Sequence, residues 1–335
     1  MKAIRLEGTG GLESLTMVEM DEPGAPQEGE ILVRLHASSL NYHDYLVALG
    51  KIPTADGRIP LSDGAGVVEK IGQGVSEFAV GDRVVSCFFP EWQNGAAVAA
   101  GLTKVPGDSL DGYAREKVVR PANWFTRAPG NYSHAEAATL TTAGLTAWRA
   151  LVDDGPVKAG ETVLILGTGG VSIFALQFAK MMGAATIVTS SSDEKLARAR
   201  ALGADQTINY RQYPKWADQV LDRTDGRGVD HVMEVGGPDT LPQSISACRI
   251  GGHIAFIGVL TGFKGPIATV ALLTRHVRLQ GLQVGSRQQQ IEMIRALEAN
   301  NIKPVIDKTF ALQDLGEAFR YEASGGHFGK ICIDV

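Results

Sequence analysis

Short runs of branched apolar residues recur through the second half of the chain, each followed by a stretch whose apolar positions fall at helical spacing. The pattern predicts strands over residues 163–166, 186–189, 206–208, 229–235, 253–257 and 277–282. Between them it predicts helices near residues 170–182, 194–202, 215–223, 240–248 and 267–274. Continuous apolar strands alternating with amphipathic helices are the signature of an α/β fold with a doubly wound parallel sheet, here of six strands. Such a sheet gathers its ligand at the carboxyl ends of its strands. Positions Val235, Gly236, Ile257, Gly258 and Leu260 therefore fall on the ligand side.

The first of these strands enters a glycine turn, Leu166-Gly167-Thr168-Gly169-Gly170-Val171-Ser172. Gly167 and Gly169 permit a tight turn and close approach to a pyrophosphate, and the next helix then points its N-terminal N–H groups at that anion. A complete G-x-G-x-x-G would place glycine at 172, where this chain has the small Ser172. The motif predicts dinucleotide binding through Gly167, Gly169, Gly170 and Val171.

An acid ending the second strand would hold the ribose diol of NAD and repel a 2′-phosphate. Here the strand runs into Ser190-Ser191-Ser192, with Lys195 and Arg198 on the following helix. Hydroxyls that donate and cations that neutralise favour NADP over NAD. Asp193 keeps NAD open if it, rather than Ser190, faces the ribose. Ser191 and Glu194 also have capping-box spacing, and Tyr210 reads equally as a phosphate neighbour or an aromatic plug.

Before residue 125 the texture changes to short strands and turns, with strands expected over 2–6, 15–19, 30–38, 64–71, 83–86 and 114–119 and no regular helical alternation. A loop over 90–110 shows little periodicity. A helix over 133–151, opened by the capping-box pair Ser133 and Glu136, leads onward. After residue 285 come a helix over 288–299, a strand over 307–310, a helix over 315–323 and a strand over 330–335. This tail is expected to complete the N-terminal unit. The organisation is thus residues 1–125 with 286–335 as one domain and 126–285 as the nucleotide-binding domain, with the active site in the cleft between them.

Composition narrows the function without choosing it. A net charge of −5 argues against a nucleic-acid or anionic-membrane surface. No apolar run is long enough to span a bilayer and no leader pattern precedes the first strand, so a cytoplasmic location is expected. The cysteines Cys87, Cys248 and Cys332 are few and far apart, which leaves neither a disulfide framework nor a metal knuckle. The edge sequence over 277–282 is a candidate for pairing across a homodimer axis.

The chain resembles the medium-chain dehydrogenase/reductase superfamily, in the zinc-free branch that includes the quinone oxidoreductases. The likeness is carried by Ser39-Leu40-Asn41-Tyr42-His43-Asp44, Gly64-Ala65-Gly66-Val67-Val68-Glu69, Gly81-Asp82-Arg83-Val84, Thr141-Thr142-Ala143-Gly144-Leu145, the glycine turn, Leu202-Gly203-Ala204-Asp205 and Gly326-His327-Phe328-Gly329-Lys330. It implies a GroES-like β-rich catalytic domain beside a Rossmann domain. Asn41 is then expected beside the nicotinamide ribose, Thr142 near the nicotinamide, Gly169-Gly170-Val171 and Lys330 on the pyrophosphate, and Ser190, Ser191, Lys195 and Tyr210 around the adenosine phosphate. At the family's catalytic zinc-ligand positions this chain carries Asn41, Ser62 and Thr142, so no metal is expected.

Without a Lewis acid, an unactivated alkoxide is hard to stabilise, whereas an enone or quinone collects charge on an oxygen that ordinary donors can reach. The resemblance therefore implies NADPH-dependent hydride transfer to a quinone or α,β-unsaturated carbonyl, a small-molecule substrate. Tyr42 and His43 are the candidate catalytic donors, with water completing protonation. Asp44 is expected to orient its loop as a buried acceptor. A zinc-independent alcohol or aldehyde oxidoreductase is the near alternative, and a non-catalytic nucleotide-binding protein the remote one.

Overall fold

Strand Glu30–Ser39 buries Ile31, Val33, Leu35 and Ala37 on one face, while on the other Arg34 and His36 reach solvent between the buried Leu32 and Ser38, the period-two pattern of a sheet with one face fully and one partly covered. It is the third strand of the computed structural model, which describes residues 1–8 and 10–335. The N-terminal segment supplies β1 (Lys2–Leu6) and β2 (Leu15–Glu19), an antiparallel pair, then β3 (Glu30–Ser39), β4 (Ala65–Ile71), β5 (Arg83–Ser86), β6 (Lys117–Pro121) and β7 (Phe125–Arg127). A helix, Tyr42–Ala48, interrupts them. It was not expected in this β-rich segment, because seven residues are too few to display a helical period.

The second unit, Thr146–Gln283, contributes β8 (Thr162–Leu166), β9 (Ala185–Ser190), β10 (Gln206–Asn209), β11 (Val229–Glu234), β12 (Cys248–Phe256) and β13 (Arg278–Gly281). All neighbouring strands run parallel, in the order β10-β9-β8-β11-β12-β13. This is the doubly wound six-stranded arrangement the apolar pattern predicts, with the order reversing beside β8. Leu164, Ile187, Ile208, Val232 and Ile254 from five strands form its core with Trp216, Val220, Leu241 and Ile245 from the crossover helices.

The chain then returns to the first unit, Met1–Leu145 with Val284–Val335, as β14 (Ile306–Ala311) and β15 (Lys330–Asp334). Strand β15 lies between β14, which it pairs in parallel, and β3, which it pairs antiparallel through Cys332 and Ser39. The tail thus completes a seven-stranded mixed sheet of order β14-β15-β3-β4-β5-β7, with β6 also on β3.

Two expectations are adjusted. The border after Leu145 lies beyond the 125/126 division read from sequence, because β7 pairs β5 and the helix His134–Ala138 packs on β3, β4 and β5. The stretch 133–151 is not one α-helix. Its Ser133–Glu136 capping box opens His134–Ala138, but wide turns follow, closed by Gly144 N–H to Thr139 O (3.3 Å) and Asp154 N–H to Arg149 O (3.0 Å). These i→i+5 contacts are π-helical, a local widening frequent at functional sites. Among the described residues, no helix is long and apolar enough to cross a membrane.

Candidate active site

In the first unit, four distant segments converge on a buried charged cluster. Helix Tyr42–Ala48 begins at Asn41, and Asp44 in its first turn reaches back, its Oδ2 accepting from Asn41 N (3.1 Å) and Nδ2 (3.1 Å). Its Oδ1 accepts from Ser62 N at 2.9 Å, so Asp44 ties the helix to the loop before β4 as the orienting acceptor expected of it. That loop is strained at Leu61, a buried residue with φ of 76°. A left-handed backbone at a large side chain is costly and collects at functional sites. Here it directs Ser62 and Asp63 inward.

Asp63 is wholly buried. Its Oδ1 accepts from Thr142 Oγ1 at 2.6 Å, and its Oδ2 accepts from Ser39 Oγ at 2.5 Å. Lys330, also buried, donates through Nζ to Asn41 Oδ1 (2.7 Å) and to Leu40 O, and lies 3.7 Å from Asp63 Oδ2. Burial raises the Asp63 carboxyl above its ordinary range, Lys330 draws it back down and Asp44 pushes it up. Of the expected site residues, the fold thus brings Asn41, Thr142 and Lys330 into one network around Asp63.

Tyr42 and His43 follow Asn41 on the helix. Both are partly buried. His43 lies between carboxylates, with Nε2 3.4 Å from Asp108 Oδ2 and Nδ1 3.8 Å from Asp44 Oδ1. Burial opposes its charge, but Asp108 and Asp44 outweigh burial and lift its pKa to about 9. Edge-on contact with Phe88, centroids 5.3 Å apart, holds the ring from another side.

A catalytic zinc at Asn41, Ser62 and Thr142 would meet one amide and two hydroxyls. The amide oxygen already accepts from the Lys330 ammonium, and the Thr142 hydroxyl donates to Asp63. Zinc prefers thiolate and imidazole, so this donor set does not fit it. Among the described residues, no group of three or more His, Cys, Asp or Glu is placed to hold a metal.

In the second unit, the expected cofactor positions lie at the carboxyl ends of β8 to β12. Gly167 has φ of 73°, a conformation that favours glycine. Helix Gly170–Met181 follows, with no acid in its first turn and a glycine at its N-cap. Ser172 is buried and donates from Oγ to Leu166 O at 2.7 Å, locking the turn to β8 in place of the motif's third glycine. These features fit a dinucleotide pyrophosphate.

Ser190 closes β9 and Ser191 follows it, but the helix Asp193–Ala201 is capped by Ser192, whose Oγ accepts from Lys195 N at 3.3 Å. The capping-box reading of Ser191 with Glu194 is therefore corrected by one position. Asp193 accepts from Asn209 Nδ2 and Gln212 Nε2, both at 2.8 Å, which ties its two oxygens to β10 and the turn after it. Tyr210 is 41% exposed, so it is not an interior plug.

After β11, Val235 and Gly236 lead into a loop built on Glu234, which sequence reasoning passed over. The buried Glu234 Oε1 accepts from Gly236 N (2.8 Å), Gly237 N (3.0 Å) and Thr240 Oγ1 (2.6 Å), and Oε2 accepts from Ser244 Oγ. Its backbone carbonyl accepts from Ile257 N and Gly258 N. Gly258 sits so close to the first loop that a Cβ there would lie 1.7 Å from Val235 O. Leu260 beyond it is exposed. An acid at the carboxyl end of the strand 229–235, just before the glycines, was the signal available for Glu234. Asp63 had only its place beside Ser62.

Comparison with known proteins gives a family model described as an alcohol dehydrogenase GroES-like domain over residues 27–130. A second, described as a zinc-binding dehydrogenase, matches residues 170–299. A zinc-type alcohol dehydrogenase-like protein of Schizosaccharomyces pombe (strain 972) is 41% identical over 333 residues, 97% of this chain and 96% of that protein. Among solved structures, an NAD-dependent alcohol dehydrogenase is 33% identical with a TM-score of 0.91, covering 100% of both chains. A quinone oxidoreductase of Pseudomonas syringae pv. Tomato DC3000 is 29% identical with a TM-score of 0.84, covering 100% of this chain and 99% of that one.

Proposed function

Since the chain belongs to the medium-chain dehydrogenase/reductase superfamily, an oxidoreductase family, we propose that it reduces quinones or α,β-unsaturated carbonyl compounds with NADPH and without a catalytic zinc. The observation that carries this reading is the donor set at Asn41, Ser62 and Thr142, an amide and two hydroxyls, with the Lys330 ammonium donating to the amide oxygen and Thr142 donating to Asp63. Such a site suits an acceptor whose charge spreads over a conjugated system more than one that forms a localised alkoxide. When bound, the reduced nicotinamide supplies the hydride. Tyr42 and His43 are the donors toward the oxygen on which charge collects, and water completes protonation.

The cofactor choice rests on the end of β9. Ser190 and Ser191 offer hydroxyls there, Lys195 a cation and Tyr210 an exposed ring, while Asp193 spends its carboxylate on Asn209 and Gln212. This favours NADP at that position. Lys195→Ala is expected to weaken NADPH binding about tenfold or more while NADH binding stays nearly unchanged, the loss of one charge-assisted phosphate contact. Equal effects in a fluorescence titration with both cofactors would defeat the assignment.

A zinc-independent alcohol or aldehyde oxidoreductase is the second reading, favoured by the alcohol dehydrogenase descriptions of the relatives. The deciding experiment is NADPH oxidation by chelator-treated protein with an ortho-quinone, an α,β-unsaturated ketone and a saturated aldehyde. Turnover of the conjugated acceptors alone supports the first reading, and turnover of the aldehyde alone replaces it with the second.

The edge strand β13 belongs to the proposal too. Among the described residues it is paired only on its β12 side, and Val270 and Leu273 on the preceding helix are 72% and 75% exposed. A second copy of the chain, pairing its own β13 antiparallel across a two-fold axis, is the occupant this edge suits. Sedimentation of a Gly281→Pro variant, which removes an N–H that points away from β12, is expected to give a monomer where the unaltered chain is a dimer.

A further inference from the structure

Asp63 is a buried carboxylate with an inside and an outside. On the inside Ser39, fully buried, donates to Oδ2, and Lys330 stands 3.7 Å from the same oxygen. On the outside Thr142, the partly exposed member of the set, meets Oδ1 at 2.6 Å. A buried ion pair of this kind adds little net stability and is often matched or exceeded by apolar packing, so its presence asks for a chemical use. The line from Thr142 through Asp63 to Lys330 is a hydroxyl, a carboxyl and an ammonium in sequence, all drawn from the first unit.

We infer that Thr142, Asp63 and Lys330 form a proton relay in which the Thr142 hydroxyl exchanges the proton of the reacting oxygen. The inference rests on the hydride-transfer reading and assigns its proton to Thr142, leaving Tyr42 and His43 to stabilise the developing charge by hydrogen bonds. In the reducing direction, hydride from the reduced nicotinamide forms a C–H bond at the acceptor, and the displaced π pair collects on the carbonyl oxygen. That oxygen takes the proton of Thr142 Oγ1. The Oγ1 is made whole by the proton of the Asp63 carboxyl, along the same short contact. The Asp63 carboxylate left behind faces the Lys330 ammonium and the Ser39 hydroxyl, and water returns the spent proton between turnovers. In the oxidising direction each transfer reverses. Thr142 is the catalytic residue here, whereas Asp63 and Lys330 act through it as positioning residues.

Burial raises the Asp63 carboxyl above its ordinary range, the direction a proton-carrying carboxyl needs, while Lys330 opposes that rise. Lys330 is held independently by Leu40 O and Asn41 Oδ1, which keeps its charge beside Asp63 in both protonation states.

The test uses the full chain, NADPH and whichever of the three acceptors the unaltered protein turns over fastest. Thr142→Val, close in shape, is expected to lower kcat by about 100-fold or more with little change in KM, the usual scale of a lost general acid. Thr142→Ser is expected to stay within a few-fold of the unaltered rate. The solvent deuterium isotope effect on kcat is expected to grow in the valine variant as protonation becomes limiting. Asp63→Asn, if its melting curve shows it folded, is expected to repeat the loss. A valine variant within threefold of the unaltered kcat overturns the relay and leaves the reduction reading intact. Equal losses in the serine and valine variants with an unchanged isotope effect also overturn it, as a packing role. No NADPH oxidation by the unaltered protein with any acceptor overturns the reduction reading, and the relay with it.

Discussion

The two units build their sites by opposite means. In the second, the geometry is mostly backbone: a glycine with φ of 73°, a helix N-terminus, and loops pinned by one carboxylate, Glu234, through neighbours within ten residues. In the first, the geometry is side-chain chemistry joined over long separations, with Lys330 meeting Asn41 across 289 positions and Thr142 meeting Asp63 across 79. A backbone site tolerates changes of side chain and fails when a Cβ intrudes. A side-chain site fails when one charge is removed.

The largest effect that would sharpen this contrast is expected from Lys330→Met. It strips the ammonium from a buried cluster that keeps Asp63 and Asp44, and removing one partner of a buried pair costs about 3–5 kcal/mol. Chemical denaturation is expected to show that loss, and a change below ~1 kcal/mol would mean that the cluster is not charged as described. Gly258→Ala is the counterpart in the second unit. Its new Cβ meets the Val235 carbonyl, an overpacking cost of about 1–3 kcal/mol, and the displaced loop is expected to weaken NADPH binding. Unchanged affinity by titration would separate that loop from the cofactor.

A further prediction concerns pH. Asp108 and Asp44 hold the His43 imidazolium to about 9, whereas the unfolded chain releases the proton near the ordinary value of 6.5. The pairing therefore stabilises fully below pH 6.5 and fades as pH rises through 9. The gap in melting temperature between the unaltered protein and His43→Gln is expected to be widest near pH 6 and to close by about pH 10. A gap that widens with pH would show a neutral ring. The smallest effect is expected from Ser192→Ala, which removes the cap of Asp193–Ala201 and costs about 1 kcal/mol. Ser191→Ala is expected to cost less, and the reverse ranking would restore the cap to Ser191.

The same contrast decides what could be read in advance. Six parallel strands and the glycine turn were legible because their signals are local: an apolar run, two glycines, a helical period. The cap slipped by one position because three consecutive serines offer the same chemistry and only the backbone at Ser192 selects among them. The π-helical turns near Gly144 and Asp154 kept an apolar spacing close enough to 3.6 to pass for one helix. Asp63 was passed over because nothing nearby in sequence marks it. Its partners Ser39, Thr142 and Lys330 come from three other segments, and the left-handed Leu61 that aims it has no compositional signature.

The place of β15 between β3 and β14 also has a consequence for synthesis. The second unit is one unbroken segment and can fold as soon as its residues clear the ribosome. The first unit, begun earlier, lacks two strands of its sheet and its buried ammonium until residues 306–334 arrive, ten or more seconds later at roughly 5–20 residues per second. For that interval the end of β3 at residues 37–39 lacks its partner, and the charges of Asp63 and Asp44 wait for a cation still to be translated. The domain that starts first is therefore the one that finishes last, and it is this half that needs protection on the way.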